Sequence, residues 1–299
     1  MKVLVIIISY NAMRWIDRCL QSVLDSSVPA DIYVIDNGST DHTQEYIQKH
    51  YPQVMFVQSK ENLGFGRANN IGLQYALQKF YDYVYLLNQD AWLMPDTLEK
   101  LIAVNRKFPE YGVLSPFQLQ GNGQNIDVNF VSGVCAYQSN SRLINDLYFG
   151  KIEAVYEVPD VMAAHWLVSR DCLRKVGGFS PTFPHYGEDN NYAQRVLYHG
   201  FKLGIVPAAT AVHDRDNRAK LTTKQKIYRN YIGSLVTLSN IHEPIHHSLL
   251  YIFAFFCVSS IRLASFAQLS YLFKVWCSYR FIRSNRNESK KDCAFLVYD

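Results

Sequence analysis

Four places in the chain set carboxylates, amides or hydroxyls directly after a short apolar run. Ser9-Tyr10-Asn11 follows Val3–Ile8, and Asp36, with Asn37, Ser39 and Asp41 close behind, follows Asp31–Ile35. Asn62-Leu63-Gly64-Phe65-Gly66-Arg67 follows Val54–Val57, and Asn88-Gln89-Asp90 follows Tyr83–Leu87. A carboxylate such as Asp36 accepts hydrogen bonds from a ribose or a nucleobase; an Asx-Gly turn is its structural alternative. Gly64 and Gly66 hint at a phosphate cradle, but the GxGxxG spacing of a dinucleotide site is missing. Arg67 is either a phosphate partner or a solvent-facing cation. Asp90 is sharper. Mg²⁺ and Mn²⁺ are held by one or two carboxylates with substrate phosphate oxygens completing the shell. His213 ends a later apolar run, and an imidazole completes such a site for Mn²⁺. Capping the helix near Pro95 is the alternative for Asp90. Glu188-Asp189 opens a helical stretch, where acidic residues suit the helix dipole. The functional alternative is a general base for an acceptor hydroxyl. His242, His246 and His247 have Pro244 between them and no carboxylate partner, so no metal site is expected there.

The elements that must hold these groups follow from periodicity. Val3–Ile8 is continuously apolar, as a strand covered on both faces must be. Residues 13–25 place Trp15, Ile16, Cys19, Leu20, Val23 and Leu24 at helical spacing. Strands at 31–35, 54–57 and 83–87 alternate with helices ending near Lys49 and spanning Gly66–Phe80, and Pro95 opens a further helix. This βαβαβαβ pattern predicts an α/β fold with a mostly parallel central sheet and flanking helices. In such sheets ligands sit beyond the carboxyl ends of the strands, where the four polar clusters lie. Regularity fades over 120–160. Met162–Ser169, Leu203–Val206 and Thr210–His213 read as strands, Arg170–Val176 and Glu188–Tyr198 as helices, and everything from about Thr222 as helical.

The 299 residues are 48% apolar and 19% charged, which excludes a mostly disordered chain. The net charge of +4 hides an asymmetry. Residues 1–214 hold 17 Lys/Arg against 21 Asp/Glu, a net of −4, and residues 215–299 hold 13 against 5, a net of +8. An acidic body with a basic tail suggests a polyanionic neighbour for the tail. The six cysteines form no CxxC pair, so reduced, structural thiols are expected. The opening apolar run is too short for a signal peptide, which points to cytoplasmic synthesis.

Together and in this order, over roughly residues 3–215, the motifs resemble the family 2 glycosyltransferases with their GT-A fold. VIIISYN looks like the family's opening strand and loop, carrying Ser9, Tyr10 and Asn11. VIDNGSTD (34–41) resembles its nucleoside-binding segment, which implies that Asp36 contacts the base, with Asn37 beside it and Asp41 supporting the loop. ENLGFGRANNIGL (61–73) is similar to the stretch that closes on the nucleotide and includes Gly64, Arg67 and Asn70. LLNQDAWL (86–93) stands where the family carries its DXD metal motif; Asn88 replaces the first aspartate, a variant found among rhamnosyltransferase-like members, and leaves Asp90 as the metal carboxylate. VSRDCLRKVGGFSPTFPHYGEDNNYAQRV (168–196) resembles the acceptor-side block, which implies Asp189 as base beside Glu188, with Tyr186 near the acceptor. AVHD (211–214) matches a metal-binding histidine, His213. The family's acidic pair after Gly-Gly-Phe is Ser180-Pro181 here, and His165-Trp166 stand where small residues are common and are expected to shape the acceptor pocket. No QxxRW motif exists, which argues against a processive synthase.

The resemblance implies an inverting, metal-dependent transfer of a sugar from a UDP- or dTDP-linked donor to a glycan or polyprenyl-linked acceptor in cell-surface polysaccharide synthesis. A non-catalytic nucleotide-sugar-binding protein on the same fold is the competing reading. A nucleotidyltransferase would need a basic, glycine-rich signature after the first strand, where Ser9-Tyr10-Asn11-Ala12 stands. The expected division is a catalytic domain over 1–215 and a helical, basic and aromatic region over 216–299. In that region Leu249–Ile261 is almost wholly apolar, Arg262 interrupts it, and Lys274, Arg280, Arg283, Arg286, Lys290 and Lys291 follow. Thirteen apolar residues fall short of the roughly 20 that a membrane span needs. Either the helix lies in a membrane interface at the inner face of the cell membrane, or it forms a hairpin packed on the catalytic domain or in a homodimer. Nucleic acid is not expected, because the aromatics sit in apolar runs and are not interleaved with Lys/Arg.

Overall fold

A computed structural model describes residues 1–135, 141–215, 221–262 and 269–297. One mixed sheet of nine strands organises residues 3–213. Its first half is β1 (Val3–Ser9), β2 (Asp31–Asp36), β3 (Met55–Gln58) and β4 (Tyr83–Asn88), in spatial order β3-β2-β1-β4 and all parallel. Helices α1 (Ile16–Leu24), α2 (Thr43–His50) and α3 (Phe65–Gln78) connect them. The alternating faces of β1 are both covered. Leu4 and Ile6 belong to one core with Ala68, Leu73 and Ala76 of α3. Val5 and Ile7 belong to the other with Ile16, Cys19 and Leu20 of α1. That double cover explains the unbroken apolar run.

The second half departs from the simple βα repeat. It contains β5 (Ala91–Leu93), α4 (Thr97–Lys107), β6 (Tyr111–Leu119), α5 (Val128–Cys135), α6 (Ser141–Phe149), β7 (Tyr156–Val158), β8 (His165–Ser169), α7 (Arg170–Val176), α8 (Glu188–Tyr198) and β9 (Lys202–His213). β8 lies antiparallel between β4 and β6, β9 is parallel to β6, and β5 and β7 pair antiparallel with β9. The parallel sheet read from periodicity is thus the β1–β4 half, and the whole sheet is mixed. Two expected strands, 203–206 and 210–213, are one strand whose register shifts between Val206 and Thr210. β6 was invisible to pattern reading because Gly112 and Pro116 punctuate it, and both normally argue against a central strand.

Three helices follow: α9 (Thr223–Ser239), α10 (Ile245–Arg262) and α11 (Leu269–Glu288). α9 starts at a capping box made by Thr222 and Gln225. Ile232, Leu235 and Leu238 of α9 share a third small core with Ile252, Phe256, Val275 and Ile282. No helix among the described residues is long and apolar enough to cross a membrane. The expected boundary near residue 215 adjoins residues 216–220, which lie outside the described residues.

The last turn returns to the sheet domain. Cys293 N–H donates to the Lys175 carbonyl at 3.2 Å, and Gly178 N–H donates to the Ala294 carbonyl at 2.8 Å. Val297 N–H donates to Gln74 Oε1 at 2.7 Å. Beneath this strap Arg195 is fully buried and donates to the carbonyls of Val176 and Gly178. Its guanidinium lies 4.9 Å from the Phe295 ring centroid. A buried carbonyl left without a donor costs about 1–3 kcal/mol. Arg195→Leu, which strands two, should therefore lower unfolding free energy by about 2–5 kcal/mol in urea titrations.

Candidate functional site

Strand register brings the polar clusters to one edge. Ser9 pairs with Asp36 across β1–β2, and Ile8 pairs with Asn88 across β1–β4. Antiparallel pairing of β5 with β9 sets Ala91 opposite His213, so Asp90 and His213 become neighbours although 123 positions separate them.

A cavity of about 490 Å³ opens at this edge, with Tyr10, Asn37, Asn62, Gly64, Asn88 and Asp90 in its wall. Behind it Asp36 is fully buried and accepts four hydrogen bonds: from Ser9 Oγ at 3.0 Å, Ser39 Oγ at 2.5 Å, Ser39 N–H at 3.0 Å and Gln44 Nε2 at 2.7 Å. Both carboxylate oxygens are thus engaged inside the protein, and the residue anchors the loop. Asn11 ties the same loop to the first, its Oδ1 accepting from Thr40 N–H at 2.8 Å. Asp41 accepts from Thr43 N–H at 3.0 Å at the start of α2. Asn37 bridges to the third loop, donating to Asn62 Oδ1 at 3.0 Å and accepting from Leu63 N–H at 2.7 Å. Two residues of the α3 turn that follows this loop point elsewhere. Arg67 is exposed and donates to the Leu63 carbonyl at 2.8 Å, and Asn70 clamps the Phe179 backbone with bonds of 2.7 and 2.9 Å.

A second cavity, of about 520 Å³, shares Phe65, Asn88 and His185 with the first and contains Tyr186, Glu188, Asp189 and His213. Two glycines hold the wall together. Gly64 has φ +78°, and a Cβ there would stand 2.3 Å from the Pro184 carbonyl oxygen. Gly187 has φ +84°, and its Cβ would stand 2.8 Å from Ile232 of α9. Only glycine takes both the left-handed backbone and the close approach. Gly187 thereby sets the first turn of α8 against α9. Half-exposed Tyr186, also at positive φ (+69°), stacks near His185 at 3.9 Å and lies under Arg229 at 5.1 Å.

The carboxylates here are electrostatically unusual. Burial, with Asp189 beside it, pushes Glu188 up to about 8, and Glu188 Oε2 has no hydrogen-bond partner. Burial also raises Asp189 above the usual aspartate range, against the Asn190 N–H that donates to it at 2.9 Å. Asp160, which receives a hydrogen bond from Asn190, is pushed up to about 7 by burial and by Asp189. Periodicity did not find Asp160, because it ends the irregular 120–160 stretch. Nor did it find Arg215, whose only signal was its place two residues after His213.

Among the described residues no three His, Cys, Asp or Glu side chains converge on one point. Two do: His213 Nε2 stands 3.4 Å from Asp90 Oδ1, and the His213 ring is nearly buried. Asp90 lines the first cavity and His213 the second where the two adjoin, and one carboxylate with one imidazole, completed by phosphate oxygens and water, fits Mg²⁺ or Mn²⁺. Arg215 Nε donates to His213 Nδ1 at 2.9 Å. The neutral ring therefore carries its proton on Nε2, and coordination there requires the proton to move to Nδ1 and Arg215 to turn aside.

His165 and Trp166 do not shape the acceptor pocket as expected. Both are fully buried in β8, a strand covered on both faces. His165 donates from Nε2 to the Val212 carbonyl at 3.0 Å and meets the Tyr85 hydroxyl at 2.9 Å, and burial lowers it to about 3. Trp166 stacks on Phe179 at 6.4 Å and donates to the Val161 carbonyl at 3.1 Å. They build the floor under His213, whose ring lies 6.3 Å from His165.

The raised Glu188 has a thermodynamic consequence. The folded state holds a proton that the unfolded chain releases, so stability falls as pH rises from the ordinary glutamate range through about 8. Glu188→Gln should therefore melt higher than the parent chain, by a margin that grows from about pH 6 to about pH 9 in scanning calorimetry. A margin that does not change between about pH 6 and about pH 9 would show that Glu188 is already ionised in the fold.

The Glycosyl transferase family 2 profile matches residues 4–177. Over 271 residues the chain is 23% identical to an N-acetylglucosaminyl-diphospho-decaprenol L-rhamnosyltransferase of Mycobacterium tuberculosis, covering 80% of this chain and 84% of that one. The mannosyltransferase PcManGT from Pyrobaculum calidifontis, solved with GDP-Man and Mn²⁺, is similar with a TM-score of 0.58 at 18% identity, over 96% of this chain and 83% of that one. S. aureus TarS 1–349 with UDP-GlcNAc is similar with a TM-score of 0.57 at 16% identity, over 83% of this chain and 70% of that one. The chain spans 42% of the longer TarS chain. The fold is accordingly GT-A, and with the profile covering more than half of its length the chain belongs to glycosyl transferase family 2.

Proposed function

We propose that this chain transfers a sugar from a nucleoside-diphosphate donor to a hydroxyl of a lipid-linked glycan, with inversion at the anomeric carbon. The observation that carries the reading is the pair of adjoining cavities: Asn88, Phe65 and His185 form a common wall between the pocket of Asp90 and the pocket of Asp189. A donor in the first presents its anomeric carbon to an acceptor in the second. Asp189 takes the acceptor hydroxyl proton as the oxygen attacks the anomeric carbon. The bond from that carbon to the diphosphate breaks, and its electron pair leaves on the diphosphate. The raised affinity of Asp189 for a proton makes it a better base than a solvated aspartate. Glu188, protonated near neutral pH, is a hydrogen-bond donor to a sugar hydroxyl.

Asp90 and His213 would hold Mg²⁺ or Mn²⁺, which supplies positive charge against the diphosphate. Tyr10, Asn37, Gly64 and Asn88 line the donor pocket, with Ser9, Asn11, Asp36 and Asp41 fixing its loops. Tyr186 stands on the acceptor side. A UDP- or dTDP-linked donor is the proposed one; S. aureus TarS is solved with UDP-GlcNAc, and the mycobacterial relative is named for a decaprenol-linked acceptor, which supports a polyprenyl-linked acceptor here and would place the chain at the inner face of the cell membrane.

Asp189→Asn should lower turnover by about 10²–10⁴-fold while donor affinity stays within a small factor. Turnover of the parent chain should fall as acid protonates Asp189, with a midpoint above the ordinary aspartate range. Steady-state kinetics across pH, alongside calorimetric titration with nucleotide sugar, check both; an unchanged turnover in the variant removes Asp189 from the base role.

A further inference from the structure

α10 contains no Asp, Glu or Lys from Ile245 to Ile261. One face of it, Ile252, Phe256 and Ser260, is buried against α9 and α11. Much of the rest of its surface is exposed: Leu250 is 71% exposed, Phe253 62% and Ile261 82%. α11 adds Phe273 at 69% and Trp276 at 79%, while Val275 and Ile282 turn inward. The start of α10 and the end of α11 line one cleft, through Pro244 and Ile245 on one side and Arg283 and Lys290 on the other. The two helices therefore run antiparallel, as a hairpin about 27 Å long at 1.5 Å per residue. Its apolar end carries Ile261, Phe273 and Trp276, and its opposite end carries Arg283, Arg286 and Lys290. Arg286 is buried and donates to the carbonyls of Leu238, Asn240 and Glu243, which fixes the cationic end of α11 to the end of α9.

We infer that this hairpin docks on an anionic lipid bilayer, its aromatic end in the interface and its basic end at the phosphate level. Exposed apolar patches of this extent on a folded chain mark interaction surfaces. Trp276 and Arg283 are separated by about 10 Å along the helix, which matches the 5–10 Å depth of interfacial helices. Charge selects the partner. Lys274, Arg280 and Arg283 stand exposed on α11, so two copies meeting on this surface would bring like charges together, whereas anionic lipid neutralises them. No helix among the described residues is long and apolar enough to cross a membrane, so only the aromatic end of the hairpin is placed in the interface. The placement also serves the proposed lipid-linked acceptor, on which it rests for its purpose. α9 is the partition: Arg229 and Val236 line the Asp189 cavity while Leu235 and Leu238 pack on the hairpin.

Co-sedimentation of the full chain with phosphatidylcholine vesicles, with and without phosphatidylglycerol, tests this. Binding should require phosphatidylglycerol and weaken with salt. The exposed double variant Phe273→Ser/Trp276→Ser should bind about tenfold more weakly or worse, and Arg280→Glu/Arg283→Glu should lose the lipid-charge dependence, both with unchanged melting and donor binding. Failure of the parent chain to bind anionic vesicles, undiminished binding by the Phe273/Trp276 variant, or a dimer in sedimentation that this variant dissociates overturns the inference. Vesicle binding without transfer to any lipid-linked acceptor would instead count against the proposed acceptor and leave the docking surface standing.

Discussion

The register of β1 between β2 and β4 is the constraint on which the rest of the site depends. It sets Ser9 beside Asp36 and Ile8 beside Asn88, and so delivers three loops to one edge. Register in a parallel sheet with both faces buried admits no slip, because a shift of one residue would exchange the side chains packed on α1 with those packed on α3. The buried Ser9–Asp36 hydrogen bond then locks the loops to each other. Asp36 accepts four hydrogen bonds in that task and sits behind the first cavity, whose wall is lined by Tyr10, Asn37, Asn62, Asn88, Gln89 and Asp90.

The second half of the sheet contributes electrostatics. Strands β8 and β9 bring His165 and His213 edge to face, with Asp90 before β5 beside His213, and α8 presents Glu188 and Asp189 to the cavity that His213 lines. Burial is the common cause: it raises the carboxylates and lowers the histidines, so charge is held back in the resting site. Arg215 touches both halves of this balance, through His213 at 2.9 Å and Asp127 at 3.6 Å. The acidic excess lies in the sheet body and the basic excess in the helical region from residue 215 onward.

Much of this was legible in the chain. β1 to β4 announced themselves by continuous apolar runs, and α7 and α8 were read at the boundaries the structure shows. Asp90, His213, Glu188 and Asp189 were picked out by residue type at strand and helix ends, and all four meet at the cavities. His165 and Trp166 were misread because a polar residue and a large aromatic in a strand carry no mark of which neighbour covers them; here β4, β6, Phe179 and Tyr192 do. Asp160 and β6 were missed where glycine, proline and asparagine erased the period.

Sequence alone determined the strand–helix alternation, the strand-end clusters, the family resemblance and the charge asymmetry, because these depend on neighbours within a few residues. Tertiary structure decided which clusters share a cavity. It decided that Asn70 and Asp36 brace loops while Asn88 lines both cavities, and that Arg215 sits on the ring nitrogen opposite the one facing Asp90. Those outcomes depend on contacts between positions tens to hundreds of residues apart, set by sheet order and burial, and no local pattern in the chain encodes them.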